Sequence, residues 1–324
     1  NSMNNSMNNS MNNSMNNSMN NSRNGDNQND HYLSKIDTKN NNFEQRLKNQ
    51  GFESSYDPPT RQVDKIPKPM NLDNIEEFLA RPALEGGESV KCYIVRERGK
   101  FKLYPKYYLY LERGKRFLLA ARKRKKNKSS NYLVSLDKES LSRSSPSFFG
   151  KLRSNFIGTE FTMYSKGENP GKCGNPKLVR HQIGAVLYET NLLGTKGPRK
   201  LTIVLPKVDP NDELRHNTQP EEKGGATIID DYKNGQWKNM RVFKNKLPEW
   251  SQKMNAYVLN FDGRVKQPSV KNFQLTETNA PSKVALQFGK ISENRFALDY
   301  SYPLSALQAF LIALSSFDTK FACE

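Results

Sequence analysis

The feature that most constrains this chain is its last apolar segment. Nine of the 11 residues from Leu304 to Leu314 are apolar. Ala, Leu and Gln in the segment favour a helix, and Pro303 suits a first helical position. The apolar positions wrap around the helix instead of forming one stripe, so every side must be buried. A bilayer-spanning helix needs ~20 apolar residues, so this one is too short to cross lipid. Protein must surround it.

The material available to do so is strand-like. Phe161 and Met163 alternate with polar partners in Thr159–Ser165, and Tyr257, Leu259 and Phe261 do so in Ala256–Phe261. Leu201–Leu205, Val284–Phe288 and Phe296–Tyr300 add short apolar runs. Asn234-Gly235 and Asp262-Gly263 read as hairpin turns. Two architectures fit: a β-barrel filled by the helix, or a helix packed between two sheets.

The amino-terminal part has another character. Residues 1–20 are five copies of Asn-Ser-Met-Asn and take five of the nine methionines. A segment this polar cannot bury enough apolar surface to offset its ordering entropy, so 1–72 is expected to be a disordered region and linker. A short binding helix around Phe43 and Leu47 is the alternative. The folded domain is expected to span 73–324, opening with a helical turn at Asp73–Leu79 capped by Asp73. The chain starts at Asn1 rather than Met, which leaves room for a missing start. Cys92, Cys173 and Cys323 are too few and too scattered for a disulfide framework, and suggest a reducing compartment. With His31, His181 and His216 and no CxxC pair, they argue against zinc.

Charge is concentrated. The net charge is +18, and residues 91–128 hold 15 Lys and Arg against two Asp and Glu. The peak is Arg122, Lys123, Arg124, Lys125, Lys126 and Lys128, read as a membrane-facing basic patch. Such a block seeks a polyanion, either an anionic membrane or nucleic acid. It also fits a nuclear-import signal or a solvated loop. A sharper feature is Gly150-Lys-Leu-Arg-Ser-Asn155. If extended, it projects Lys151 and Arg153 from one face, ~6.5–7 Å apart, and Leu152 from the other. The pair could grip phosphates on adjacent ring carbons, Arg as a planar fork and Lys as a point charge. An ordinary exposed strand face is the other reading.

Catalytic patterns are missing. No G-x-S-x-G elbow, P-loop or H-E-x-x-H occurs. Gly171–Gly174 reads as loop, and Cys173 lacks an identifiable base. His181 is expected to make a structural hydrogen bond. Asp230-Asp231 and Glu221-Glu222 fall in a polar stretch, 206–235, that reads as a surface loop. The chain is expected not to be an enzyme and to need no cofactor.

Longer segments carry a resemblance. Asn260-Phe-Asp-Gly-Arg-Val-Lys-Gln-Pro-Ser-Val-Lys-Asn-Phe-Gln274 and the terminal Ala309-Phe-Leu-Ile-Ala-Leu-Ser-Ser-Phe-Asp-Thr-Lys-Phe-Ala-Cys-Glu324 are similar to the two signatures of the tubby and tubby-like proteins. Gly150–Asn155, Asn131-Tyr-Leu, Tyr188-Glu-Thr-Asn191 and Gly197-Pro-Arg-Lys200 match in the same order. The resemblance implies a mainly β fold, a closed antiparallel barrel of about twelve strands around a central hydrophobic C-terminal helix. It implies binding of phosphoinositides, above all phosphatidylinositol 4,5-bisphosphate, through Lys151, Arg153, Asn131 and, by a looser match, Arg180. It also implies that Glu324 is the natural carboxyl end. Pro268 departs from the family pattern and is expected on an edge or bulged strand. Phe321 replaces an aliphatic residue.

The resulting expectation is a monomeric peripheral module that binds an anionic phosphoinositide membrane at the cytoplasmic face of the plasma membrane. It would serve as a trafficking adaptor for membrane-protein cargo or a transport complex, or as a lipid-released signalling protein. A nuclear, nucleic-acid-binding regulator is the alternative, without a base-reading motif. A ciliary location follows from the resemblance alone.

Overall fold

The computed structural model describes residues 73–99, 104–125, 127–189, 200–208, 226–252 and 256–318. All lie in the Pro67–Glu324 unit of the chain. The Asn-rich tail, the Phe43–Leu47 segment, Lys126, Phe321 and Cys323 fall outside the described residues.

Twelve strands close into one antiparallel barrel. They are β1 (Val90–Glu97), β2 (Lys106–Leu111), β3 (Phe117–Lys123), β4 (Asn131–Ser135), β5 (Phe148–Ser154), β6 (Glu160–Ser165), β7 (Gln182–Tyr188), β8 (Leu201–Pro206), β9 (Met240–Asn245), β12 (Phe273–Glu277), β13 (Ala280–Ser292) and β14 (Arg295–Tyr300). Chain neighbours pair side by side, β9 pairs with β12, and β14 closes on β1. Closure leaves the barrel itself without an open edge. β10 (Glu249–Ser251) and β11 (Ala256–Val258) form a separate two-stranded ribbon. The alternating run at 256–261 therefore contributes only a short strand, outside the barrel.

The apolar segment forms helix α3 (Ala306–Ser316), and all 11 of its residues are buried. Of the two architectures left open by periodicity, the barrel is the one observed. Leu307, Phe310, Leu311 and Leu314 share one core with inward residues such as Ile94, Leu152, Phe161 and Leu298. The polar members of the helix are satisfied. Gln308 Nε2 donates to the Ile183 carbonyl at 2.6 Å, and Ser315 Oγ lies 2.9 Å from Tyr188 OH. The helix starts after Pro303, not at it. Ser305 accepts from Gln308 N, and the Gln308 side chain accepts from Ser305 N, a reciprocal cap that fixes the first turn. At the other end Phe317 packs on Tyr107 and Phe296, with ring centroids 4.7 and 4.8 Å away.

Several local expectations are corrected. Helix α1 (Ile75–Ala80) is capped by Asn74, not Asp73, because the Asn74 side chain accepts from Glu77 N. The stretch 206–235 is not all loop. It contains helix α2 (Ile228–Lys233), started by a Thr227–Asp230 capping box. Ile228 and Ile229 of this helix cover Ala185 and Val204 on the outside of the barrel. Asn234 caps α2, so Asn234-Gly235 ends a helix and does not join strands. Asp262 and Gly263 have φ of 48° and 72° and form a tight turn closed by Arg264 N donating to the Phe261 carbonyl at 2.9 Å. That turn lies in the connection from β11 to β12, not in a hairpin. Pro268 lies in the same connection and not on a strand.

The first signature segment owes its position to Arg264. Its guanidinium makes two bonds of 2.7 Å to Asp299 and one of 2.6 Å to Glu112. Asp299 is 2% exposed. A buried charge needs this degree of pairing.

Candidate functional site

β5 alternates as its sequence demands. Leu152 points into the core and is fully buried. Lys151 and Arg153 project outward. Their ladder partners are Leu133 and Asn131 on β4, and Tyr164 and Thr162 on β6. Gly150 lets the strand lie flat here. A Cβ at that position would come within 2.9 Å of the Tyr164 carbonyl and 3.3 Å of the Leu307 side chain.

Arg180 reaches the same place from the segment between β6 and β7. Glu168 forms a parallel bridge with Val179. Glu168 N donates to the Leu178 carbonyl at 2.7 Å, and Arg180 N donates to the Glu168 carbonyl at 3.1 Å. Gly167, at φ +132°, allows this approach. A Cβ there would meet Arg180 N at 2.7 Å and its Cα at 2.8 Å.

These parts line a cavity of about 200 Å³. Lys151, Arg153, Asn131 and Arg180, the four residues singled out from sequence, all line it. Arg124 and Arg143 join them, together with Asn127 and Asn169, and none of the lining residues among those described is acidic. Arg143 meets Glu168 at 3.3 Å, in an exposed pair. Tyr164 braces two of the cations: Lys151 Nζ lies 5.0 Å and the Arg180 guanidinium 4.7 Å from its ring centroid. Such contacts offset part of the cost of bringing like charges together.

Three observations give the cavity its chemistry. Lys151 is 6% exposed and Arg180 7%. The Asn131 Oδ1 and Arg180 Nε atoms are buried without a hydrogen-bond partner, a condition that costs free energy until something fills it. Burial, and then the guanidiniums of Arg180, Arg143, Arg153 and Arg124, pull the Lys151 amine down to about 7. Burial also lowers Arg180. An arrangement of clustered cations and orphaned polar atoms is suited to a compact polyanion.

The basic run does not form one outward surface. Arg122 Nε donates to the Leu141 carbonyl at 2.7 Å. Lys123 pairs at 3.2 Å with the buried carboxylate of Asp318, just past α3. Arg124 turns into the cavity. Lys125 and Lys128 are exposed, and Lys125 Nζ sits 5.2 Å from the Tyr104 ring centroid. Lys126 is not described. Arg143, Asn127 and Asn169 were missed from sequence. They come from loops of Ser, Asn and Lys without periodicity, and only the fold brings them together.

Other candidates stay apart from this site. Cys173 Sγ contacts the Asn175 carbonyl at 3.2 Å, and His181 N donates to Ser165 Oγ at 3.0 Å. A larger cavity, of about 540 Å³, lies beside Trp237, Arg241 and Tyr302. Its Arg241 is held by Glu277 through two bonds of 2.7 Å, which leaves it less suited to an anion.

Comparison with known proteins places the whole in context. Tubby-related protein 3 of Mus musculus is 46% identical over 261 residues, covering 78% of this chain and 56% of its own length. Tubby-related protein 1 of Homo sapiens is 44% identical, over 79% of this chain and 48% of its own. Protein king tubby of Drosophila pseudoobscura pseudoobscura is 47% identical, over 78% and 55%. The chain thus spans about half the length of these relatives, and none of the three names denotes an enzyme. The model of the Tub family matches residues 79–319. With its closed barrel around a buried helix and this match over most of its length, this chain belongs to the Tub family.

Proposed function

We propose that this domain is a non-catalytic, reversible phosphoinositide-binding module. Its preferred ligand is the headgroup of phosphatidylinositol 4,5-bisphosphate. The observation that carries the reading is the convergence of Lys151, Arg153, Arg180 and Asn131 on one cavity of about 200 Å³ whose described lining holds no carboxylate. Lys151 and Arg153 hold the vicinal phosphates by charge-assisted hydrogen bonds. Arg180 Nε and Asn131 Oδ1, both unpartnered, supply a donor to phosphate and an acceptor to a ring hydroxyl. The cavity is smaller than the roughly 300–1,000 Å³ of drug-type pockets, which suits a headgroup whose acyl chains stay in the membrane.

The module works at the cytoplasmic face of the plasma membrane, where such lipids and a negative surface attract it. Cleavage of the headgroup lipid by a phospholipase releases it. Carriage of membrane-protein cargo is the use that fits a reversible tether. The nucleic-acid reading has no comparable support, because Arg122 and Lys123 of the basic run have internal partners.

The test is binding to phosphatidylcholine liposomes with and without the bisphosphate lipid. Replacing Lys151 and Arg153 together by Ala is expected to weaken binding by about 100-fold or more, at ~1.5–3 kcal/mol per lost bond to a charged group. Unchanged affinity and lipid selectivity would refute the assignment.

A further inference from the structure

We infer that the β5–β6 turn is a membrane wedge. Phe156 and Ile157, three and four residues past the cavity-lining Arg153, enter the interface of the bilayer whose headgroup the cavity holds. The inference rests on the phosphoinositide reading above and adds to it a second, apolar contact that fixes orientation and depth.

Phe156 is 72% and Ile157 53% exposed, and they are the one adjacent pair among the exposed large apolar side chains of the described residues. Single exposed apolar residues are commonplace; two bulky ones at the tip of a tight turn are not. Turn positions favour Gly, Asn, Asp and Ser, so turn chemistry does not account for Phe and Ile here. The turn is also rigid. Asn155 Oδ1 accepts from Gly158 N at 2.7 Å and Thr159 N at 3.0 Å, and Gly158 has φ +86°. A side chain presented by such a turn is already held in place, which limits the entropy lost on contact with a bilayer.

Position decides what the partner is. Arg153 lines the cavity and pairs in the ladder with Asn131, and Ser154 N donates to the Ser130 carbonyl at 2.9 Å. The cavity therefore extends to the end of β5 from which the turn emerges. Three residues of extended chain cover up to ~10 Å. The headgroup layer is roughly 5–8 Å deep on each side of the hydrocarbon. That reach matches the thickness of the headgroup layer around phosphates held by Lys151 and Arg153. Leu178, 57% exposed, lies two residues before Arg180 and offers a second apolar contact beside the same cavity. Cations that face an anionic surface, with apolar tips beside them, match a charged bilayer on both counts.

The experiment uses the full chain in three forms: the parent, the double variant Phe156→Ser/Ile157→Ser, and Lys151→Ala/Arg153→Ala. Each is titrated with soluble glycerophosphoinositol 4,5-bisphosphate and with phosphatidylcholine vesicles carrying the bisphosphate lipid. The turn variant is expected to keep its affinity for the soluble headgroup within about twofold while losing about tenfold or more on vesicles. A polarity-sensitive dye on Phe156→Cys, with Cys173 and Cys323 changed to Ser, is expected to shift to the blue on vesicles. It should be quenched by nitroxide lipids labelled near the top of the acyl chain. Equal vesicle binding by parent and turn variant, with no dye shift, overturns the wedge and leaves the headgroup reading standing. Loss of both soluble and vesicle binding in the turn variant also overturns it, since the turn then merely shapes the cavity. Failure of the parent to bind the soluble headgroup overturns the headgroup reading, and the wedge with it. Self-association that depends on Phe156 and Ile157, with vesicle binding unaffected, assigns the tips to a second copy and overturns the wedge.

Discussion

At the residue scale, Lys151 is the unusual group. Its amine sits near 7 because burial, and then four guanidiniums, disfavour the charge. The ring of Tyr164, its ladder partner on β6, lies 5.0 Å from the amine. At neutral pH the amine is therefore partly deprotonated without a bound anion. A bound phosphate reverses the balance of charge and raises the amine again, so binding takes up protons. Above pH 7 that proton must come from solvent, and affinity for the soluble headgroup is expected to fall by up to about tenfold per pH unit. Calorimetry at pH 8 in two buffers of different ionisation enthalpy measures the uptake. The monoester phosphates titrate as well, so the comparison is with Lys151→Arg, which carries a fixed charge. Parent and variant should differ by most of one proton. Equal values would show that Lys151 is already fully charged without ligand.

At the level of elements, the site is built where backbones come unusually close. Gly167 lets the Val179–Arg180 segment lie against the end of β6. A Gly167→Val variant must push that segment away, since any Cβ would fall 2.7 Å from Arg180 N and φ is +132°. It should lose about tenfold or more in headgroup affinity, the worth of roughly one charged hydrogen bond. The thermal transition should stay close to that of the parent, because the segment lies outside the barrel ladder. A collapse of the fold instead would show that the segment is part of the core. This element also marks how far sequence reasoning reached. Strands such as β5 and β8, and the buried helix, follow from alternation and from apolar residues on all faces. That Lys151 and Arg153 share one face follows from one period-two step, but choosing them and Asn131 as a site needed the family resemblance. Arg180 needed the family resemblance, because its segment has neither strand nor helix period. Arg143 carried no signal at all, since a lone Arg in a Ser-rich loop gains a role only through contacts made in three dimensions. Asn234-Gly235 misled because its turn chemistry serves a helix end as readily as a hairpin.

For the whole molecule, the core and the site oppose each other. α3 fills the barrel, with Phe310 and Leu311 fully buried, and its packing is the large favourable contribution to folding. The cavity on the outer wall holds cations against one another, and this arrangement opposes folding. The sign follows from linkage. Lys151 has an ordinary value of 10.5 and a folded value near 7, so between those pH values the unfolded chain holds more protons. Stability of the ligand-free domain should therefore rise with pH across that window. Two substitutions separate the roles. Phe310→Ala is expected to cost about 3–5 kcal/mol and lower the melting temperature by about 10 °C or more, while the surviving folded molecules keep their headgroup affinity. Lys151→Met keeps the aliphatic stem, removes the charge, and should raise the melting temperature by several degrees while headgroup binding falls sharply. Scanning calorimetry with and without the soluble headgroup reads both effects. A melting temperature that drops for Lys151→Met would mean that the cation cluster stabilises the wall. The site would then be part of the scaffold, not a cationic recess held open for an anion.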